Sequence, residues 1–417
     1  MIKRIQGIED IFPDRIALWK KIENTARSVF HKSNFKELII PIMEYTEVFS
    51  RGLGDETDIV SKEMYTLTDR GDRSLTLRPE GTASVVRAYV ENGEYNRLAL
   101  NKFFYVGPMF RAERPQKGRL RQFNQFGAEL FGSSSPYHDF EVINLMNSFS
   151  KELGIKDYTL LINSIGCKEC RPQYLEKLKG YYSQHLSSLC EDCNNRYEKN
   201  ILRLLDCKKQ NCQKIREDAP HITDHICESC ETHHNELKGY LKDGDVNYKE
   251  DPFLVRGLDY YSKTTFEFIT EKLGGQNAFA AGGRYDGLVE QFDGKATPAV
   301  GFAAGMERIF LMLDEDGISI DQNIDVFIVH GGEGTFKKAF VTAQNLRENN
   351  FSVDIDPPGK GFKAQFKRAD REKAIFTIVI GEDELQSNSA TVKNMNTGNQ
   401  DTVAFEKIIE YLTKELK

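Results

Sequence analysis

Phe110-Arg111-Ala112-Glu113-Arg114-Pro115, continued by Arg119-Leu120-Arg121-Gln122-Phe123, reads as one strand turning into a second through a loop rich in Arg, Pro and Gly. The apolar runs on either side, within Ala99 to Phe131, supply the two strands. The loop gathers Arg111, Arg114, Lys117, Arg119 and Arg121. Guanidinium forks held on a strand suit phosphate, and a Gly-containing loop lets a polyanion approach; a solvated charged turn is the plain alternative. Alternation along the second strand puts Phe123, Gln125, Gly127 and Glu129 on one face, and Asn124, Phe126, Ala128 and Leu130 on the other. An aromatic ring, an amide, a gap without a side chain and a carboxylate in a row make a ligand-binding face, the glycine leaving room for the ligand. Exposure of that face to water is the alternative.

Working outward, Ile16, Trp19, Ile22, Ala26, Val29 and Phe30 recur at helical spacing. The apolar run Leu38-Ile39-Ile40-Pro41-Ile42 follows. Proline cannot donate to a sheet ladder, which places this strand at an edge or an interface. Leu77-Arg78-Pro79-Glu80-Gly81-Thr82 is a turn that ends in a helix start, with Glu80 and Thr82 as hydrogen-bonding groups or simple caps. Arg256-Gly257-Leu258-Asp259-Tyr260-Tyr261 sets a cation and two phenols on a connector before a strand at Thr264 to Ile269, unless Arg256 and Asp259 merely pair. Gly282-Gly283-Arg284-Tyr285-Asp286-Gly287 permits close backbone approach. Gly301 through Arg308 is a small-residue strand running into a helix, and Arg308 in the first turn strengthens an anion site there. From Ile324 the pattern is strand, helix, strand, helix, strand, a compact α/β unit.

At 417 residues the chain is long enough for two or three domains. A net charge of −7 argues against indiscriminate nucleic-acid binding, though not against local basic patches. Lys360, Lys363, Lys367 and Arg371 make one such stripe on a C-terminal helix. Met1 to Asp10 carries no apolar core of a signal peptide, and no run is long enough to span a bilayer. The cytoplasm is the expected compartment, with no membrane partner. No G-x-x-x-x-G-K-[ST] loop occurs, so nucleotide binding by that route is not expected.

Together these segments resemble class II aminoacyl-tRNA synthetases. The second motif of that family is matched by Phe110-Arg111-Ala112-Glu113 with Arg119 and Phe123, the third by Gly301 through Arg308, and the first by the helix and strand ending near Pro41. Arg256 to Tyr261 and Gly282 to Asp286 look like the two signatures of the histidine enzymes. The resemblance implies an α+β fold: an antiparallel catalytic sheet flanked by helices, in parts 1–165 and 251–320, followed by an anticodon-binding α/β domain at 324–417; it does not cover residues 166–250, where a change of texture to Cys, Asn, Lys and Glu reads as a cysteine-rich insertion. It implies a homodimer, and L-histidine, ATP with Mg²⁺ and histidine tRNA as partners. It assigns catalysis to Arg256, Arg111 and Arg308. Glu80, Gly81, Thr82, Arg111, Gln125, Glu129, Arg256, Tyr260 and Tyr261 would bind histidine, and Arg111, Glu113, Arg119, Phe123 and Arg308 would bind ATP. Arg114, Gln116, Lys117 and Arg121 would meet the tRNA acceptor end, and Lys360, Lys363, Lys367 and Arg371 the anticodon stem. The rival is a non-catalytic, synthetase-like regulatory subunit of histidine biosynthesis, in which the active-site motifs and the last domain are usually lost; here both are present.

The eight cysteines owe nothing to that resemblance. Cys167/Cys170, Cys190/Cys193 and Cys227/Cys230 are C-x₂-C pairs, and Cys207/Cys212 is C-x₄-C. Such knuckles let two thiolates reach one tetrahedral ion, so four pairs build two zinc sites in a segment with a thin apolar core. Disulfides and plain reduced thiols are the alternatives. The sequence leaves open which pairs share an ion, and whether His233 or His234 replaces a thiolate.

Overall fold

Pro13 opens the first helix, Pro13–Lys32, where its missing N–H costs nothing. Leu18, Trp19, Ile22, Ala26, Val29 and Phe30 form the buried stripe of that helix, while Ile16 lies half-buried at its margin. The protein is described from a computed structural model, covering residues 1–54, 57–258, 260–274, 277–317 and 323–416. It divides into two compact units, Met1–Ser319 and Ile320–Lys417.

In the first unit β1 (Lys36–Glu37) is an edge strand. A small sheet follows, of β2 (Met43–Tyr45), β3 (Tyr65–Thr68) and β4 (Ser74–Leu77). The run Leu38–Ile42 is not a strand, contrary to expectation. The Arg78 guanidinium donates to the carbonyls of Ile40 (2.5 Å), Pro41 (3.2 Å) and Pro108 (2.8 Å), so that a side chain replaces the ladder that Pro41 interrupts.

The main strands are β5 (Asn101–Phe110), β6 (Gln122–Phe131), β7 (Thr159–Ser164), β8 (Lys249–Glu250), β9 (Ser262–Ile269), β10 (Ala278–Arg284) and β11 (Ala299–Gly305). Their order, with β1 at the edge, is β1-β5-β6-β11-β10-β9-β7-β8. Every pairing is antiparallel except β1 with β5 and β7 with β8, at the two edges. β5 and β6 pair in full register, Asn101 opposite Phe131 and Phe110 opposite Gln122. One face of β6 meets helices: Phe126 packs 4.8 Å from Phe149 of helix Pro136–Leu153 and 5.9 Å from Phe30 of the first helix. The other face carries the site.

Between β7 and β8 lie short helices and the helix Glu228–Asp243. Buried Tyr174, Leu178, Tyr182, Leu204 and Leu205 of this segment are continuous with Val255, Tyr260 and Tyr261. The segment thus shares its apolar core with the sheet.

The second unit holds β12 (Val326–His330), β13 (Val353–Ile355), β14 (Phe376–Ile380), β15 (Ser389–Asn394) and β16 (Gln400–Ala404), in order β13-β12-β14-β15-β16. Helices Thr335–Glu348 and Phe362–Arg371 connect the three parallel strands, as the alternation predicted. The β15–β16 hairpin and the last helix, Ile408–Glu415, were not anticipated.

Candidate active site

A cavity of about 300 Å³ opens on the sheet face away from the helices. Most residues that the sequence singled out converge on it. The turn after β4 supplies Glu80 and Thr82. The β5–β6 unit supplies Arg111, Glu113, Arg119, Phe123 and Gln125. The connector before β9 supplies Arg256, Tyr260 and Tyr261, and helix Met306–Glu315 supplies Arg308. Asp259, offered as an alternative partner of Arg256, lies outside the described residues.

The polar groups are held by specific partners. The Glu80 carboxylate accepts from the Thr82 and Ala83 N–H groups, both at 2.7 Å, at the start of helix Thr82–Glu91. Burial raises its pKa against those two bonds. Arg111 donates through Nε to the Pro79 carbonyl (2.9 Å), and its guanidinium lies 5.3 Å from the Phe123 ring centre. Arg256 pairs with Glu267 of β9; burial would lower its pKa, but Glu267 reverses this and keeps it charged. Arg308 donates to the carbonyls of Gly118 (3.0 Å, through Nε) and Ala278. Burial, with Arg119 and Arg111 nearby, brings its pKa down to about 10, so it remains a cation at neutral pH. Among the described residues, buried Gln125 Oε1 and Arg256 Nε have no hydrogen-bond partner, which fits a site whose hydrogen bonds are completed by a ligand.

Two expected histidine ligands do not themselves line the cavity. A Cβ on Gly81 would stand 2.2 Å from the Tyr105 ring, so this glycine makes room for a tyrosine. Gly127 does the same from the other side, at 2.5 Å. The gap read as space for a ligand is filled by buried Tyr105 of β5. Glu129 lies one layer behind Thr82, whose hydroxyl donates to it at 2.7 Å, and it also accepts from the Tyr285 hydroxyl. Burial pushes the Glu129 carboxyl up to about 8 against those two bonds. A Cβ on Gly301, across the β6–β11 pairing, would stand 1.7 Å from its Oε2, so only glycine fits there.

Sequence reading also missed several residues. Glu267 on β9, Glu307, the β10 segment from Ala278 to Ala281, and Asp206 with Lys208 from the cysteine-rich segment all line the cavity. Arg284 serves the fold: fully buried, it pairs with buried Asp139 at 2.5 Å, and His233 of helix Glu228–Asp243 meets the same carboxylate at 3.2 Å. His234 meets Glu250 at 3.1 Å, so neither histidine joins the cysteines.

Of the loop residues, Arg114, Gln116 and Lys117 are exposed. Arg121 is turned inward, donating to the Glu113 carbonyl at 3.2 Å. Lys363, Lys367 and Arg371 are exposed on one face of helix Phe362–Arg371, and Lys360 pairs with Asp356 at 2.8 Å.

The cysteines form two sets, Cys167/Cys170/Cys227/Cys230 and Cys190/Cys193/Cys207/Cys212, and within each set all four sulfurs lie within 4.8 Å of one another. All eight are free thiols. Among the described residues, no helix is long and apolar enough to cross a membrane.

Comparison with known proteins agrees with this geometry. Residues 7–309 match the family model for histidyl-tRNA synthetase, and residues 325–415 that for an anticodon binding domain. The histidine–tRNA ligase of Halothermothrix orenii is 49% identical over 99% of both chains, and that of Thermosipho melanesiensis 47% identical over 98% of both. The crystal structure of the apo histidyl-tRNA synthetase of S. aureus superposes with a TM-score of 0.84 at 38% identity, covering 99% of this chain and 100% of that one. With matches spanning both units and the class II sheet in place, the chain belongs to the histidyl-tRNA synthetase family.

Proposed function

We propose that this cavity joins L-histidine to ATP, forming histidyl-adenylate and pyrophosphate, and then delivers the histidyl group to the 3′ end of histidine tRNA for protein biosynthesis. The observation that carries this is the meeting of Arg111, Arg256 and Arg308, from three separate elements, with Thr82, Gln125 and two tyrosines around one cavity. In the first step a histidine carboxylate oxygen attacks the α-phosphorus, and the bond to the β-phosphate breaks. Fixed cations stabilise the charge that builds there without having to reorganise. Arg256 faces the α-phosphate, and Arg111 and Arg308 hold the remaining phosphates. Glu113 and Arg119 complete the ATP site, with Phe123 as the adenine platform. Glu80, Thr82 and Gln125 hold the amino and carboxyl groups of histidine. Tyr260 and Tyr261, with Glu129 acting through the Thr82 layer, read the imidazole. In the second step a ribose hydroxyl of the tRNA attacks the carbonyl carbon and AMP leaves. A site built to hydrogen-bond both ring nitrogens rejects other side chains strongly, and no editing site is required.

ATP brings Mg²⁺, for which Glu113 is a suitable oxygen donor on the cavity wall; when bound, the ion neutralises charge on the leaving pyrophosphate. The cysteine sets fit Zn²⁺. Zn–S bonds of about 2.3 Å in a tetrahedron place sulfurs about 3.8 Å apart. The Cys167–Cys170, Cys167–Cys227, Cys170–Cys230 and Cys190–Cys207 separations are 3.7, 3.9, 3.9 and 3.9 Å. Eight unpaired thiols also suit the reducing cytoplasm, the compartment we assign.

We assign residues 1–165 and 251–320 to catalysis, 166–250 to the insertion and 324–417 to anticodon recognition. Arg114, Gln116 and Lys117 meet the acceptor end, and Lys363, Lys367 and Arg371 the anticodon stem. Inward-turned Arg121 shapes the loop. A protein ending at Asp321 is expected to keep histidine-specific ATP–pyrophosphate exchange among the twenty amino acids, yet to charge tRNA poorly. Equal charging by full-length and shortened protein refutes the anticodon role.

A second copy covers the apolar run beside β1. Ile39, Ile42, Met43 and Tyr45 are 89, 47, 45 and 52% exposed, an apolar patch at a sheet edge. Sedimentation should give twice the 47.7 kDa chain mass, and Ile39→Lys should shift the protein towards the monomer. A wild-type monomer at micromolar concentration contradicts this assignment.

A further inference from the structure

The two cysteine sets differ in what they hold. Cys167 and Cys170 follow β7, and their partners Cys227 and Cys230 open helix Glu228–Asp243, so this set brings the start of that helix against the end of a sheet strand. The second set lies wholly within residues 190–212, and two consequences follow from its position. Cys207 is flanked by Asp206 and Lys208, and both line the active-site cavity beside Arg111, Arg119, Arg256 and Arg308. Just upstream, Leu204 and Leu205 are buried, the Leu205 carbonyl accepts from Arg216 at 2.8 Å, and Arg203 pairs with Asp58 at 2.5 Å. Residues 203–208 therefore form a strap, held by an ion pair at one end and reaching a cysteine of the second set at the other.

We propose that this set is a metal-held clasp that delivers Lys208 to the phosphates of ATP, so that metal occupancy some way from the chemistry sets the affinity for ATP. The inference rests on the reading of the cysteines as zinc ligands. The anchoring it requires is local. A ligand residue cannot rotate or slide while its sulfur is coordinated, so the side chains on either side of Cys207 are held in register with the cavity. Packing fixes the upstream half of the strap at Leu204 and Leu205, but the short helices on either side, Glu191–Lys199 and Gln210–Glu217, each bury only one cysteine, which leaves Asp206 and Lys208 to be held through Cys207. Lys208 is an ammonium on a flexible stem, suited to phosphate as a point charge. It reaches Asp206 Oδ1 at 3.0 Å, and this carboxylate keeps the ammonium at the mouth until phosphate competes for it.

The test uses full-length protein purified without chelator, comparing wild type with Lys208→Ala and Cys207→Ser. Zinc per chain is measured by elemental analysis, and ATP and histidine binding by calorimetry. Expected are two zinc ions in wild type and in Lys208→Ala, and one in Cys207→Ser. Both variants should bind ATP about 10-fold more weakly, the scale of one charged hydrogen bond, with histidine binding within about twofold of wild type. Limited proteolysis should cut within residues 203–209 of Cys207→Ser and spare that stretch in Lys208→Ala. A Cys207→Ser protein that loses one zinc yet binds ATP normally overturns the clasp while leaving zinc in place. Metal-free wild type overturns the zinc reading and the metal dependence with it. Normal ATP binding by Lys208→Ala overturns the assignment of that side chain, whatever the metal content.

Discussion

Arg256→Ala is expected to lower histidine-dependent ATP–pyrophosphate exchange by at least about 10²-fold, the usual scale for removing one preorganised stabiliser of transition-state charge. The geometry adds a condition that the sequence did not suggest. Arg256 is the ion-pair partner of half-buried Glu267, so the single variant leaves a carboxylate without its counter-charge. A fall in thermal stability is expected with it, and that fall alone would blur the result. The double variant Arg256→Ala/Glu267→Gln separates the two effects. It should regain most of the lost stability, because Gln carries no charge to strand, and it should remain as slow as the single variant. If exchange recovers in the double variant, Arg256 serves only to neutralise Glu267 and the transition-state role is wrong.

The difference between what was legible and what was not is one of range. The β5–β6 unit, its two faces and the first helix came from residues two, three or four apart, where the periods of strand and helix act directly. The cavity wall was legible because Arg111, Gln125 and Arg308 sit in local patterns that suit phosphate or a ligand. Hidden residues owe their place to pairings distant in sequence. Glu267 becomes the partner of Arg256 only when the connector folds back on β9. Cys167 and Cys170 meet Cys227 and Cys230 because helix Glu228–Asp243 packs on helix Pro136–Leu153, with His233 against the Asp139–Arg284 pair. Glycine gave the most misleading signal. Gly127 advertised a gap, but a gap on a strand is claimed by whichever neighbour is nearest, and Tyr105 lies directly opposite in the β5–β6 register. The strand expected at Pro41 failed for a related reason: a side chain far along the chain, Arg78, satisfies the carbonyls that a ladder would have used.

Glu129→Ala should raise the histidine requirement by about 10²-fold, the cost of leaving the buried Thr82 and Tyr285 hydroxyls without their acceptor, and leave ATP affinity within about twofold. The carboxylate sits behind Thr82 rather than on the cavity wall, so the effect is transmitted through the Thr82 hydroxyl and the Tyr285 phenol that it holds. Glu129→Gln keeps the shape, removes the titrating proton, and gives the mechanism a second readout. Burial raises the carboxyl from its ordinary 4.5 to about 8 in the folded protein. Between those values the unfolded chain has released the proton and the folded chain still holds it, so wild-type stability is progressively lost as pH rises through this window. Glutamine does not titrate. The stability of Glu129→Gln relative to wild type should therefore climb from about pH 4.5 to about pH 8 and then level off, with a ceiling of about 5 kcal/mol set by the displacement. Denaturant unfolding at a series of pH values measures it. Parallel stability curves for the two proteins would show that Glu129 titrates as an ordinary carboxylate. An equal loss of ATP and histidine affinity in Glu129→Ala would assign the residue to the fold of the whole cavity rather than to recognition of the ring.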